Sequence, residues 1–232
     1  MLQQVSSLVG LDSQTLRSIG ALLFRPGQLT REFSRGRRVA YSAPLQLYLA
    51  AAAGFFLIQI FKPLIGVDIE RWRISTALAS VGSFRTLPDE LIDRLSEVGM
   101  SPDAFAAKFD AAVTGYLPVL LLVLVVAFAA WLKLLHRDRP FSLHGTFSLH
   151  WSAFYLILEG LKRVTPVPSA VDLPVVVGMS VVSLVYLTLA LRAAYSGGWV
   201  ASSAKALASL LLYYALITLW LTSTVTLAIR LV

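Results

Sequence analysis

Apolar residues run through this chain in long, nearly unbroken blocks. Five of them are legible: 44–65, 116–135, 142–161, 174–191 and 206–229. At a rise of 1.5 Å per residue, some twenty residues in a helix reach about 30 Å, the thickness of a bilayer's hydrocarbon core. The first block is interrupted only by Gln46, Gln59 and a late Lys62, which can snorkel to an interface. The second is almost pure Leu, Val, Ala and Phe and closes on Trp131 and Lys133. The third is less oily, with His144, His150, Trp151, Tyr155 and Glu159. The pattern predicts an all-α integral membrane bundle of about five transmembrane helices over residues 44–232.

Residues 1–43 have a different period and form a separate, basic amphipathic arm. Asp12 or Ser13 can cap a first helix, with Leu16, Ile19, Gly20 and Leu23 on one stripe and Arg17 and Ser18 off it. That helix must stop near Arg25, because Pro26 disfavours the α conformation in the residue before it. Pro26 can open a second short helix, with Leu29 and Phe33 one turn apart and Gly36 as its stop.

Residues 66–112 are the long hydrophilic segment, read as a helical extracytoplasmic loop. Pro88 to Val98 places Leu91, Leu95 and Val98 on one stripe and ends at Gly99. Ser101-Pro102-Asp103 is a cap followed by a proline start, and the helix it opens runs into the second span with Pro118 as a kink. Asp89/Glu90 and Asp93/Glu97 follow a helix N-terminus, where carboxylates suit the dipole, and read as a solvated face.

Composition agrees with the pattern. Charged residues are 14% of the chain, hydrophobic residues 57% and mean hydropathy +0.73, against about 25% charged in a soluble domain. The absence of cysteine excludes disulfides, thiolate zinc sites, iron–sulfur clusters and cysteine nucleophiles, and no cofactor is expected. Met1 to Gly20 lacks the continuous apolar core and early basic cluster of a secretory signal, so the first span is expected to serve as an uncleaved anchor.

The net charge of +7 could suggest nucleic acid, but the charges flank the spans, beside anionic headgroups, and read as topology determinants. With five spans, the arm side carries a net +8 and the opposite side a net −1. Lys and Arg alone favour the arm side only weakly, and its short segments give the clearer vote. The N-terminus is therefore expected in the cytoplasm and the C-terminus outside, in a bacterial inner membrane.

Two sets of residues are candidates for function. The arm packs Arg25, Arg31, Arg35, Arg37 and Arg38 against one acid, Glu32. This set marks topology and is a candidate site for anionic lipid headgroups. The second set lies inside the third span, where ionisable groups are costly: His144, His150, Tyr155 and Glu159. His150 sits about 240° around the helix from His144, so the two imidazoles do not share a face for one metal. His144 and Glu159 are about 22 Å apart along the axis and cannot form a dyad. The bland alternative for them is interfacial capping, with His150 hydrogen-bonded between helices. Trp131, Trp151, Tyr195, Trp199, Tyr213 and Tyr214 read as an interfacial belt. The small residues of 201–204 and 206–209 suit close helix packing. No Ser-His-Asp spacing, phosphate-binding glycine loop or dinucleotide fingerprint is present.

Several of these pieces together resemble a bacterial multi-pass membrane family of unknown function. They are Leu23-Phe24-Arg25-Pro26-Gly27, Arg31-Glu32-Phe33, Gly36-Arg37-Arg38, Tyr41 and Pro44-Leu45; the run from His144 to Phe154 with its two histidines; and Ala190-Leu191-Arg192 with Tyr195 and Trp199. Many members carry an N-terminal Cys-rich zinc ribbon; with no cysteine here, no zinc role transfers. The resemblance implies an architecture and no catalytic residues. The expected function is a non-enzymatic membrane scaffold or interaction protein. Its basic arm would engage anionic lipid or a membrane or envelope protein partner. The alternative is a small permease or lipid-handling protein using the third span's polar residues.

Overall fold

The computed structural model describes residues 13–37, 41–61, 67–68, 73–74, 97, 99–165 and 172–231. Among them are seven helices: α1 Ser13–Phe24, α2 Gln28–Ser34, α3 Pro44–Phe61, α4 Pro102–Leu135, α5 Phe141–Val164, α6 Asp172–Tyr195 and α7 Trp199–Leu231. A minimal antiparallel pairing, unforeseen in the pattern, joins β1 Val67–Asp68 to β2 Arg73–Ile74, with Val67 opposite Ile74 and Asp68 opposite Arg73. The fold is otherwise all-α.

The arm ends its helices where local chemistry demands. α1 stops at Phe24, one residue short of Arg25. α2 begins at Gln28 rather than at Pro26, and Gly27 before it adopts φ 74°. Its C-terminus closes on Gly36 at φ 79°. The Gly36 N–H donates to Phe33 O and the Arg37 N–H to Glu32 O, each 3.1 Å, the Schellman arrangement that a left-handed glycine permits. At α4, Ser101 Oγ accepts the Ala104 N–H at 3.3 Å, and the helix runs unbroken from Pro102 through Pro118 to Leu135, as the cap and proline predicted. Of the expected helix over Pro88 to Val98, Glu97 is described and is helical; the rest, with Asp89, Glu90 and Asp93, lies outside the described residues.

The chain divides into two units, Met1–Ile58 with Leu124–Ala215, and Gln59–Val123 with Leu216–Val232. The second contains the β1–β2 pairing, the start of α4 and the end of α7, where Thr222 Oγ1 bonds back to Thr218 O at 3.0 Å.

The first unit is organised around α5. Trp151, 1% exposed, meets Tyr213 edge to face at 5.6 Å and lies near Phe128 and Phe154. Phe154 in turn stacks on Tyr186 at 3.6 Å. Trp151, Tyr195 and Tyr213 are therefore core residues and not an interfacial belt. Their large rings fill the space between helices, a burial that sequence distance from a span end does not reveal.

This unit buries several polar side chains within its apolar core and exposes apolar faces. Thr15, Ser18, Thr30, Ser42, His144, Ser148 and His150 are buried. Val176, Val177, Val181, Val182 and Val185 of α6 are exposed, whereas Ser183, Tyr186 and Leu187 on its other face are buried. In the arm, Leu16 of the predicted stripe is 58% exposed, whereas Thr15, Ser18 and Leu22 are buried.

Helices stand where all five spans are expected, but among the described residues two are long and apolar enough to cross a membrane by length and composition: Pro174–Tyr195 in α6 and Trp199–Ser223 in α7. Pro44–Ile58 and Leu121–Leu135 are apolar but shorter among the described residues. α5 has the length, but its histidines, serines and Glu159–Arg163 end dilute its hydropathy.

Candidate functional site

The arm is a docked element. α2 packs against α1, α5 and α6. Its inward residues are Leu29 and Thr30, 5% and 1% exposed. Gly27 makes the docking possible, because a Cβ there would lie 2.5 Å from Ala190 O on α6. Tyr186 Oη, also on α6, donates to Leu22 O at 2.7 Å. On α5, the Thr30 Oγ1 and His150 Nδ1 atoms are 2.9 Å apart in a buried hydrogen bond.

The return strand of the arm is tied to α1. Ser18 Oγ accepts the Ser42 N–H at 2.8 Å and donates to Gln14 O at 2.8 Å. Thr15 and Ser42 hydroxyls are 3.2 Å apart, and Gln14 Nε2 donates to Tyr41 O at 2.8 Å. Buried hydroxyls paired in this way avoid the cost of an unmatched polar group in an apolar setting.

Docking α2 through Leu29 and Thr30 leaves its Arg31 and the arginines that flank the helix outside the packed contact. Arg25, Arg31, Arg35 and Arg37 are exposed. Glu32 pairs with Arg37 at 3.1 Å and with Arg35 at 3.9 Å. Arg38 lies outside the described residues.

The third-span candidates separate into three neighbourhoods. His144, fully buried, has Nε2 3.3 Å from Arg139 O and Nδ1 2.8 Å from Tyr195 Oη. A carbonyl can only accept, so Nε2 carries the proton, Nδ1 accepts, and the Tyr195 hydroxyl donates. A neutral imidazole satisfies both contacts. His136 stacks on Tyr195 with ring centroids 4.0 Å apart. Burial, reinforced by the charge of Lys205, pushes the His136 pKa down to about 4. Lys133 Nζ bonds Arg137 O and Arg139 O at 2.7 Å each, and Lys205 Nζ bonds Leu135 O at 3.2 Å. This closes the α4–α5 turn.

His150 belongs with the arm through Thr30. Tyr155 packs edge to face on Tyr213 at 5.1 Å. Glu159 pairs with Lys162 at 3.8 Å. Burial lowers the pKa of neighbouring Arg163 while the Glu159 charge acts in the opposite direction. The structure thus keeps His144 and His150 in different contacts and couples each to a residue the pattern did not single out, His136 or Thr30. Thr30 carried one signal, a hydroxyl beside apolar Leu29 on a short helix; His136 stood in a turn among charges and carried none. Among the described residues there is no group of three or more His, Cys, Asp or Glu able to hold a metal ion.

These features define an all-α protein with, among the described residues, two helices long and apolar enough to cross a membrane and an N-terminal arm packed onto its helices. Residues 12–56 match a family model described as "Protein of unknown function (DUF3667)". The match covers the arm from residue 12 and most of α3, and ends before the α5 and α6 segments. No curated protein and no solved structure matches the chain.

Proposed function

We propose that the chain is an integral protein of a bacterial inner membrane, a non-enzymatic scaffold whose arm presents a cationic surface to anionic lipid headgroups. In this reading α3 to α7 supply five spans, with the N-terminus cytoplasmic and the C-terminus outside. The observation that carries the proposal is how the arm is held: Leu29 and Thr30 of α2 are buried against the helices, while Arg31 of α2 and the flanking Arg25, Arg35 and Arg37 are exposed. A basic segment fixed beside membrane helices is favoured by roughly 1 kcal/mol per cation at an anionic surface. The exposed valine face of α6, with hydroxyls paired inside the unit, supports a lipid surround. A permease path through His150, Tyr155 and Glu159 has less support, because His150 engages Thr30 and Glu159 engages Lys162.

The test uses the detergent-solubilised chain and vesicles of phosphatidylcholine with or without phosphatidylglycerol. Arg25→Ala with Arg31→Ala, and Arg37→Ala with Arg38→Ala, should weaken capture by the anionic vesicles, with membrane insertion unchanged. The residual binding should lose its salt dependence. Variants that bind as the parent does would remove the arm from the proposal.

A further inference from the structure

A groove of about 480 Å³ opens between α6 and α7, lined by Val185, Thr188, Leu189, Trp199, Ala204 and Leu207 among others. The volume falls within the range of small-molecule sites, and the lining is almost wholly apolar. Val185, Leu189, Trp199 and Leu207 are all exposed. The two helices that form it are the ones long and apolar enough to cross a membrane, so its open side would face hydrocarbon.

One end of the groove is charged. Arg192 follows Thr188 and Leu189 by one turn of α6, on the same side of the helix. Its guanidinium carbon stands 3.8 Å over the Trp199 ring. Stacking engages the flat face of a guanidinium and holds the side chain in place, while the N–H donors at its edge stay directed outward. Such a fork is suited to a phosphate, which it can meet with two parallel hydrogen bonds. Trp199 itself, with an apolar ring and a polar N–H, suits the boundary between hydrocarbon and headgroups.

We propose that the α6–α7 groove is a binding site for one anionic glycerophospholipid, its acyl chain lying along Val185, Leu189 and Leu207 and its phosphate held by Arg192 beside Trp199. The site rests on the membrane reading above but is separate from the arm. Its specificity follows from the pairing of an apolar trough with a single fixed cation: chain and charge must both fit. A neutral headgroup would still place its chain there, but without a net charge to complement Arg192.

Fluorescence quenching by brominated acyl chains tests this on the full chain in detergent micelles. The Trp199 signal is taken as the difference between the parent and Trp199→Phe. Brominated phosphatidylglycerol should quench Trp199 at a several-fold lower mole fraction than brominated phosphatidylcholine. Arg192→Gln should bring the two lipids level, and Ala204→Leu, which fills the trough, should reduce the quenching by both. Arg192 is exposed, so its variant decides the matter even where Ala204→Leu does not fold. Equal quenching by the two lipids, or a preference that survives Arg192→Gln, would overturn the groove site and leave the arm reading standing. No quenching of any tryptophan by either lipid would overturn the groove site and count against the membrane reading as well.

Discussion

Thr30 and His150 are 120 residues apart in the chain, and their side chains meet at 2.9 Å in a buried hydrogen bond. The bond joins the basic arm to α5, the helix that also carries His144, Tyr155 and Glu159. It turns an approach segment into part of the packed unit, and it explains a histidine placed deep within an apolar helix.

Replacing Thr30 with Val keeps the shape but leaves His150 Nδ1 without its partner. Stranding a buried polar group costs about 1–3 kcal/mol. Thermal unfolding in detergent should report that loss, and limited trypsin digestion should cut faster at Arg31 and Arg35 as the arm detaches more often. Thr30→Ser should restore most of the stability. Unchanged melting and digestion for Thr30→Val would mean that the arm is held by its apolar contacts alone.

Gly27 and Gly36 both have positive φ, but only Gly27 lies against another backbone. Gly36→Ala should cost about 1–2 kcal/mol, the penalty of a left-handed conformation for a residue with a Cβ. Gly27→Ala adds to that penalty a collision with Ala190 on α6 and should be clearly the more damaging in the same melting assay. Equal losses at the two positions would contradict the close approach.

Stability should fall with acid through His136. Its folded pKa, about 4, lies below the ordinary 6.5 because of burial and Lys205. Between those values the unfolded chain binds the proton that the folded chain refuses, so unfolding becomes easier as pH drops from about 6.5 toward 4. Above 6.5 the contribution is fully present. His136→Gln should flatten this part of the curve of melting temperature against pH, and a curve of unchanged slope would sink the assignment.

Glu32 contributes charge balance more than stability. Its pairs with Arg35 and Arg37 involve exposed arginines, and such pairs contribute about 0–1 kcal/mol. Glu32→Gln should leave melting nearly unchanged while raising capture by phosphatidylglycerol vesicles at low salt. A large loss of stability would show that the carboxylate organises the helix.

Tyr195→Phe removes the hydroxyl that donates to His144 Nδ1 and leaves the stacked rings. The expected loss is about 1–3 kcal/mol for the stranded nitrogen, with no change in vesicle capture by the arm. Weaker capture would tie the two ends of α5 together in a way their contacts do not suggest.

Local chemistry was legible in the chain. Pro26 ended α1 within a residue, Gly36 closed α2, Ser101-Pro102 opened α4, and apolar blocks marked the places of α3 to α7. Each depends on backbone sterics, caps or bulk hydropathy, which neighbouring residues determine. Which face of each helix is buried came only from the tertiary structure. Leu16 of the apolar stripe is exposed while Ser18, off that stripe, is buried, Trp151 and Tyr213 were expected at a boundary and form the core, and His136 and Thr30 gained partners in distant helices. In a helix whose surroundings are themselves apolar, hydrophobicity does not point toward the interior. Helix-to-helix fit and paired hydrogen bonds decide the inward face instead, and both depend on residues far away in the chain.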